Sequence, residues 1–221
     1  MAVLIKRELI EYMRIGELVF DPPLDTLQLR PHAIDLRLGF KFRVPKNTVD
    51  RSSGRSARVL DYYTMKNGQL VNFEEIVLKP GQHFDILPGE MIMGFSLEMI
   101  HLKSPMLMAV VYPRSSVNRR GLGLDLTGIV DVGYKGHLMF PIHNNTSFQV
   151  IRLYPGERIC QLLFEKLNEP VLEGYQGRYK HSKKSPPKHG GYIPESNKKE
   201  IQYIREGKIV EIKREFSYSI H

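Results

Sequence analysis

From residue 34 onward, apolar and polar residues alternate in short runs, the pattern of strands that bury one face, and only the start of the chain keeps a helical period. Between Lys6 and Ile15, the apolar Leu9, Tyr12 and Met13 recur at helical spacing and Gly16 follows as a C-cap, which predicts one short N-terminal helix. The prolines of DPPLDTLQLRP make the next stretch irregular. In AIDLRLGFKFRV, Ile34, Leu36 and Leu38 alternate with polar residues and predict a strand. The polar NTVDRSSGRSAR reads as a surface loop.

Seven further runs read as strands: VNFEEIVLKP, HFDILPG, EMIMGFSLEMI, MLMAVVYP, GHLMFPIHN, FQVIRLYP and RICQLLFEKL. Gly, Pro or Asn separates them and no second long helix intervenes, so a mainly antiparallel sandwich or barrel is expected. IQYIREGKIVEIKREF reads as a hairpin around REGK, although its Glu, Lys and Arg content also permits a helix. The expected division is an N-terminal helix and arm (1–30), a β core (31–173) and a basic C-terminal arm with a hairpin (174–221).

With 221 residues, 42% hydrophobic and 25% charged, the composition is that of one globular domain. The single Cys160 excludes an intramolecular disulfide framework and every Cys-based zinc pattern, which fits a reducing cytoplasm. MAVLIKRELIEY reaches Lys6 and Arg7 too soon for a secretory apolar region, and SPMLMAVVYP falls far short of the ~20 residues of a spanning helix. No membrane partner is expected.

The formal charge of +8 makes a polyanionic partner worth considering. Between Gly174 and Lys199 there are seven lysines and arginines against one glutamate, and both a solvated tail and an arm that closes on an anion fit this run.

Three connections carry candidate chemistry. PRSSVNRRG offers Arg114 and Arg119 as phosphate partners, with the Ser115 and Ser116 hydroxyls and backbone N–H groups completing an anion cradle. GIVDVGYKG places Asp131 after an apolar strand, where a turn would also favour it. YPGERICQL places Gln161 after a tight turn. His137 and His143 share one strand face but lack a third ligand, a poor zinc proposal.

In this order, HAIDLRLG, PRSSVNRRG, GIVDVGYKGHL and YPGERICQLLF resemble the motifs of the dUTPase and dCTP deaminase superfamily, from the N-terminus to about Tyr179. The resemblance implies an all-β, distorted jelly-roll or β-barrel of the dUTPase-like type with a short N-terminal helix. It also implies a homotrimer whose active sites are shared between chains.

It further implies that Asp131 activates a water, while Arg114, Ser115, Ser116, Arg119 and Gln161 bind the phosphates. A magnesium ion would be held largely by phosphate oxygens and waters, with Asp35 near it as an indirect ligand. Tyr134 would pack on the deoxyribose. Asp125, Met139, Phe140 and Pro141 would lie at the base, with Tyr175 and Arg178 closing over the nucleotide from the arm.

The N-terminal helix and arm are similar to the deaminase branch. In that branch a glutamate ten residues after the motif aspartate handles protons, and this position is Pro141 here. Proline has no ionisable group, and the zinc-dependent deaminase signature is also missing. The leading expectation is therefore a dUTP diphosphatase that forms dUMP and pyrophosphate, with dUTP as partner and magnesium as cofactor. Deamination or hydrolysis of dCTP and a non-catalytic nucleotide sensor or nucleic-acid binder are the alternatives.

Overall fold

The computed structural model describes residues 2–45, 73–124, 128–172 and 198–217. In chain order the elements are β1 (Ala2–Val3), α1 (Lys6–Arg14), β2 (Leu18–Asp21), β3 (Ile34–Pro45), β4 (Phe73–Val77), β5 (Phe84–Ile86), β6 (Met91–Leu102) and β7 (Leu107–Pro113). There follow α2 (Ser115–Asn118), β8 (Leu122–Gly123), β9 (Ile129–Val130), β10 (Lys135–Asn144), β11 (Ile151–Leu153), β12 (Arg158–Lys166), α3 (Lys198–Arg205) and α4 (Ile209–Glu215). All eight strand runs read from AIDLRLGFKFRV to RICQLLFEKL are present, at least in part. The loop expected at NTVDRSSGRSAR lies outside the described residues.

Ten strands form one curled antiparallel sheet in the order β8-β10-β6-β3-β12-β7-β9, with β1 on β12, β2 on β6 and β4 on β3; β5 and β11 form a separate pair. The twelve-residue β3 joins the two parts of this sheet. Its first residues pair with β12 and its later ones with β6 and β4, with register shifts between. At the turn Gly39 lies against the Phe95 and Ser96 carbonyls, where an added Cβ would sit 3.0 Å from backbone oxygen.

The alternation read from the sequence becomes burial. On β10 the side chains of Leu138, Phe140 and Ile142 enter the core, while His137, Met139, Pro141 and His143 occupy the half-exposed face. Phe42, Phe140 and Phe164 fill the interior, each contributing about 1.5–3 kcal/mol by leaving water. The lone Cys160 is sealed among them, and burial pushes its thiol pKa up.

Helix α1 docks through Leu9, with Tyr12 and Met13 packed beside it. Glu8 reaches back to accept the Ile5 N–H at 2.9 Å. Gly16 ends the helix with φ +75°, and the Gly16 and Glu17 N–H groups close onto the Met13 and Tyr12 carbonyls.

The C-terminal β-hairpin expected around REGK is instead a pair of helices. Isoleucine-rich composition favoured strands, but Ile201 and Ile204, and Ile209 and Ile212, recur at helical spacing. Gly207, at φ +69°, stops α3, and Glu215 of α4 ties back to Lys199 and Tyr203.

Candidate functional site

Pro113 closes β7 and Arg114 remains extended. Ser115–Asn118 then make one helical turn, anchored by buried Val117. Ser115, Ser116 and Arg119 are left exposed on its outer side. The segment returns through Gly121, whose φ of +86° and close approach to Thr146 leave no room for a side chain.

Arg114 turns back toward β12 and β3. Its Nη1 donates to the Arg158 carbonyl at 3.0 Å and its Nε lies 3.3 Å from Asp35 Oδ2. Arg158 Nη1 reaches the same oxygen at 3.3 Å and donates to the Leu27 carbonyl at 2.6 Å. From the N-terminal arm, Arg30 Nε donates to Asp35 Oδ2 at 2.9 Å.

Three guanidiniums thus share one carboxylate oxygen, while buried Asp35 Oδ1 has no hydrogen-bond partner among the described residues. Burial lowers the Arg114 pKa. Asp35 opposes the shift, and Arg158, Arg30 and Arg120 add to it. Arginine does not deprotonate in proteins, so Arg114 stays charged; the surplus of positive charge is seen in the geometry, three guanidiniums on one carboxylate.

Gln161 is the cross-strand partner of Asp35 on one side and Tyr112 on the other. Its half-exposed amide makes no hydrogen bond among the described residues. The antiparallel register therefore gathers Arg114, Gln161 and Asp35 at one corner, with Ser115, Ser116 and Arg119 beside them.

Asp131 is not in that corner. Val130 pairs with Ala109 near the start of β7, so Asp131 is separated from Arg114 by at least five strand residues, roughly 16 Å. Its exposed carboxylate has no hydrogen-bond or ion-pair partner among the described residues. The turn that carries it closes by a Tyr134 N–H bond to the Asp131 carbonyl, next to Gly133 at φ +77°.

The Tyr134 ring is buried and its hydroxyl donates to the His137 carbonyl at 2.9 Å. Phe140 points into the core, which leaves only its backbone for a ligand. Met139 and Pro141 share the half-exposed face of β10, and Pro141 sits opposite Met93. Strand β8 covers the other edge only at His143 and Asn144, so a proline with no N–H is tolerated. Asp125, Tyr175 and Arg178 lie outside the described residues.

Sequence reasoning missed Arg30 and Arg158 as members of this cluster. Arg158 lies within YPGERICQLLF, but Arg30 belongs to an irregular arm where no periodicity marks it. Among the described residues no three His, Cys, Asp or Glu side chains form a metal cluster, and no helix is long and apolar enough to cross a membrane.

The family model described as dCTP deaminase-like matches residues 3–167. A protein of Persephonella marina named "dCTP deaminase, dUMP-forming" is 34% identical over 177 residues, covering 80% of this chain and 91% of its own. One of Methanobrevibacter smithii with the same name is 31% identical over 206 residues, covering 92% and 98%. The crystal structure of 2′-deoxycytidine 5′-triphosphate deaminase from Agrobacterium tumefaciens superposes with a TM-score of 0.54 at 21% identity. That match covers 75% of this chain and about half (49%) of the solved one.

Proposed function

The chain belongs to the dCTP deaminase-like family, and on that premise we propose that it acts on dCTP with two waters, one replacing the cytosine 4-amino group, which leaves as ammonia, and one cleaving the α-phosphate to release pyrophosphate and leave dUMP. The expectation of a dUTP diphosphatase is overturned. It rested on Pro141 and on a dUTPase-like central motif, whereas relatives at 31–34% identity over most of both chains carry the dCTP deaminase name. One observation carries the proposal: the family match contains every phosphate-motif segment, and Arg114 and Gln161 converge at Asp35.

In this reading the triphosphate lies against Arg114, Arg119, Gln161 and the hydroxyls of Ser115 and Ser116, which offset its charge as pyrophosphate departs. Asp131 orients and deprotonates the water that attacks the α-phosphorus. One chain holds Asp131 and Arg114 at different ends of β7, so each site is completed between copies, in keeping with a homotrimer.

Magnesium would arrive with the triphosphate and supply charge neutralisation. Such an ion would be held largely by phosphate oxygens and waters. Asp35 Oδ2 is shared by three guanidiniums and Oδ1 is buried, so Asp35 would act on such an ion indirectly.

At the base, Pro141 cannot exchange protons. The same half-exposed face carries His143, whose Nδ1 lies 2.6 Å from Asn145 Oδ1. Pro141 also favours a second reading, hydrolysis of dCTP to dCMP without deamination.

Incubation with dCTP and magnesium decides between them. Formation of dUMP, pyrophosphate and ammonia supports the proposal, dCMP and pyrophosphate without ammonia supports the second reading, and no turnover rejects both.

A further inference from the structure

We propose that Arg30 is a further triphosphate-binding residue, a guanidinium of the N-terminal arm that works as a pair with Arg114 through the carboxylate they share. Both arginines approach Asp35 Oδ2 through Nε, at 2.9 Å for Arg30 and 3.3 Å for Arg114. Each planar fork is thus held by its inner edge. Arg114 spends one terminal nitrogen on the Arg158 carbonyl. The two terminal nitrogens of Arg30 make no hydrogen bond among the described residues, and its side chain is 40% exposed. Among the described residues nothing takes up that outer edge of Arg30, which faces a ligand site beside Arg114.

The backbone beneath Arg30 is fixed. Its N–H donates to the Ala33 carbonyl, the neighbouring Leu29 bridges to Ile34, and the Lys6 N–H donates to the Pro31 carbonyl. The fork is held in place before any anion arrives, which lowers the entropy lost on binding.

Charge supplies the second argument. Asp35 offers one negative charge to three guanidiniums, of which Arg158 is also held by the Leu27 carbonyl. A third cation is not needed to neutralise one carboxylate, and crowding like charges in a partly buried corner is unfavourable. An incoming polyphosphate relieves that repulsion. Planar guanidinium forks match phosphate oxygens two at a time, which a lysine ammonium cannot do. Arg30 would then take a phosphate adjacent to the one on Arg114.

This inference rests on the reading of the Arg114 corner as the triphosphate site. Inorganic triphosphate, which carries no base, tests it independently of the reaction at cytosine. Calorimetric titration of the full chain is made for the wild type, R30Q, R30K and R114Q, each at two salt concentrations, alongside the melting temperature.

R30Q is expected to bind triphosphate about tenfold more weakly and with a shallower salt dependence. R30K should recover only part of that loss, with a melting temperature near the wild type's. Wild-type affinity in R30Q, with binding lost in R114Q, would make Arg30 a purely structural partner of Asp35 and overturn the inference. If R30Q does not fold, wild-type affinity in R30K overturns it equally. Failure of the wild type itself to bind triphosphate would remove both the inference and the phosphate reading of the corner, whatever happens to dCTP.

Discussion

The side-chain amide of Gln28 donates to the Glu98 carboxylate at 2.7 Å, so a residue of the N-terminal arm grips β6 inside the protein. The other Glu98 oxygen accepts the Arg37 N–H at 3.0 Å, and Gln28 also donates to the Asp35 carbonyl. Arm, β3 and β6 are thereby joined directly behind the arginine corner. Burial raises the Glu98 pKa above its ordinary 4.5, although these hydrogen bonds and Arg37 pull the other way.

That shift fixes the sign of a pH effect. Below 4.5 the folded and unfolded chains both hold the Glu98 proton, and the benefit of its raised pKa is fully present. As pH rises through the folded value, the unfolded chain has already released the proton and the benefit is lost. The stability of the wild type relative to Glu98→Gln should therefore fall as pH rises from about 4 to 8, measured by urea unfolding. A difference that stays level across this range would show that Glu98 does not titrate in the way its burial implies.

Asp131 and Arg114 lie at different ends of β7, so two inactive variants should complement each other. Asp131→Asn and Arg114→Gln, unfolded together and co-refolded, can assemble sites that draw both intact residues from different copies. At equal mixing about a quarter of sites are intact by random assortment. Turnover of dCTP near that fraction of the wild-type rate is expected. A mixture as inactive as its two components would place both residues in one chain's site.

Pro141 gives the opposite kind of test, a gain. Pro141→Glu restores an ionisable group on the half-exposed face of β10, and general acid–base catalysis is worth about 10²–10⁴-fold. Ammonia release from dCTP should rise by at least about tenfold while pyrophosphate release changes little. Ammonia release no faster than in the parent would show that position 141 does not face the amine.

Gly121 closes the phosphate-motif segment at φ +86°, where an added Cβ would collide with the Thr146 side chain. Gly121→Ala adds both a strained backbone and a steric conflict, and should cost about 1–3 kcal/mol of stability in chemical denaturation. Gly81, at φ +85° with nothing within 4 Å, is the control for the backbone component alone. Equal losses at both positions would mean that Thr146 simply moves aside.

The strands were legible because their faces differ. Leu138, Phe140 and Ile142 alternate in sequence and the same three side chains enter the core. Asp35 escaped that logic, since it is a buried acid in an otherwise alternating strand and its partners lie five, 79 and 123 residues away. No local pattern announces such contacts. The motifs around Arg114 and Gln161 were readable as segments, but their meeting depends on the β12–β3 register, and the separation of Asp131 depends on where β9 joins β7. At the C-terminus the β-branched composition outweighed the i, i+3 spacing, which is why two helices were read as a hairpin.

The concealment of Cys160 makes the molecule a silent background for sulfur chemistry: its one native thiol is out of reach of alkylating dyes in the folded state. A cysteine introduced in place of exposed Ser115 would then be the sole reactive handle, and a fluorophore attached there could report arrival of a ligand at the arginine corner in real time.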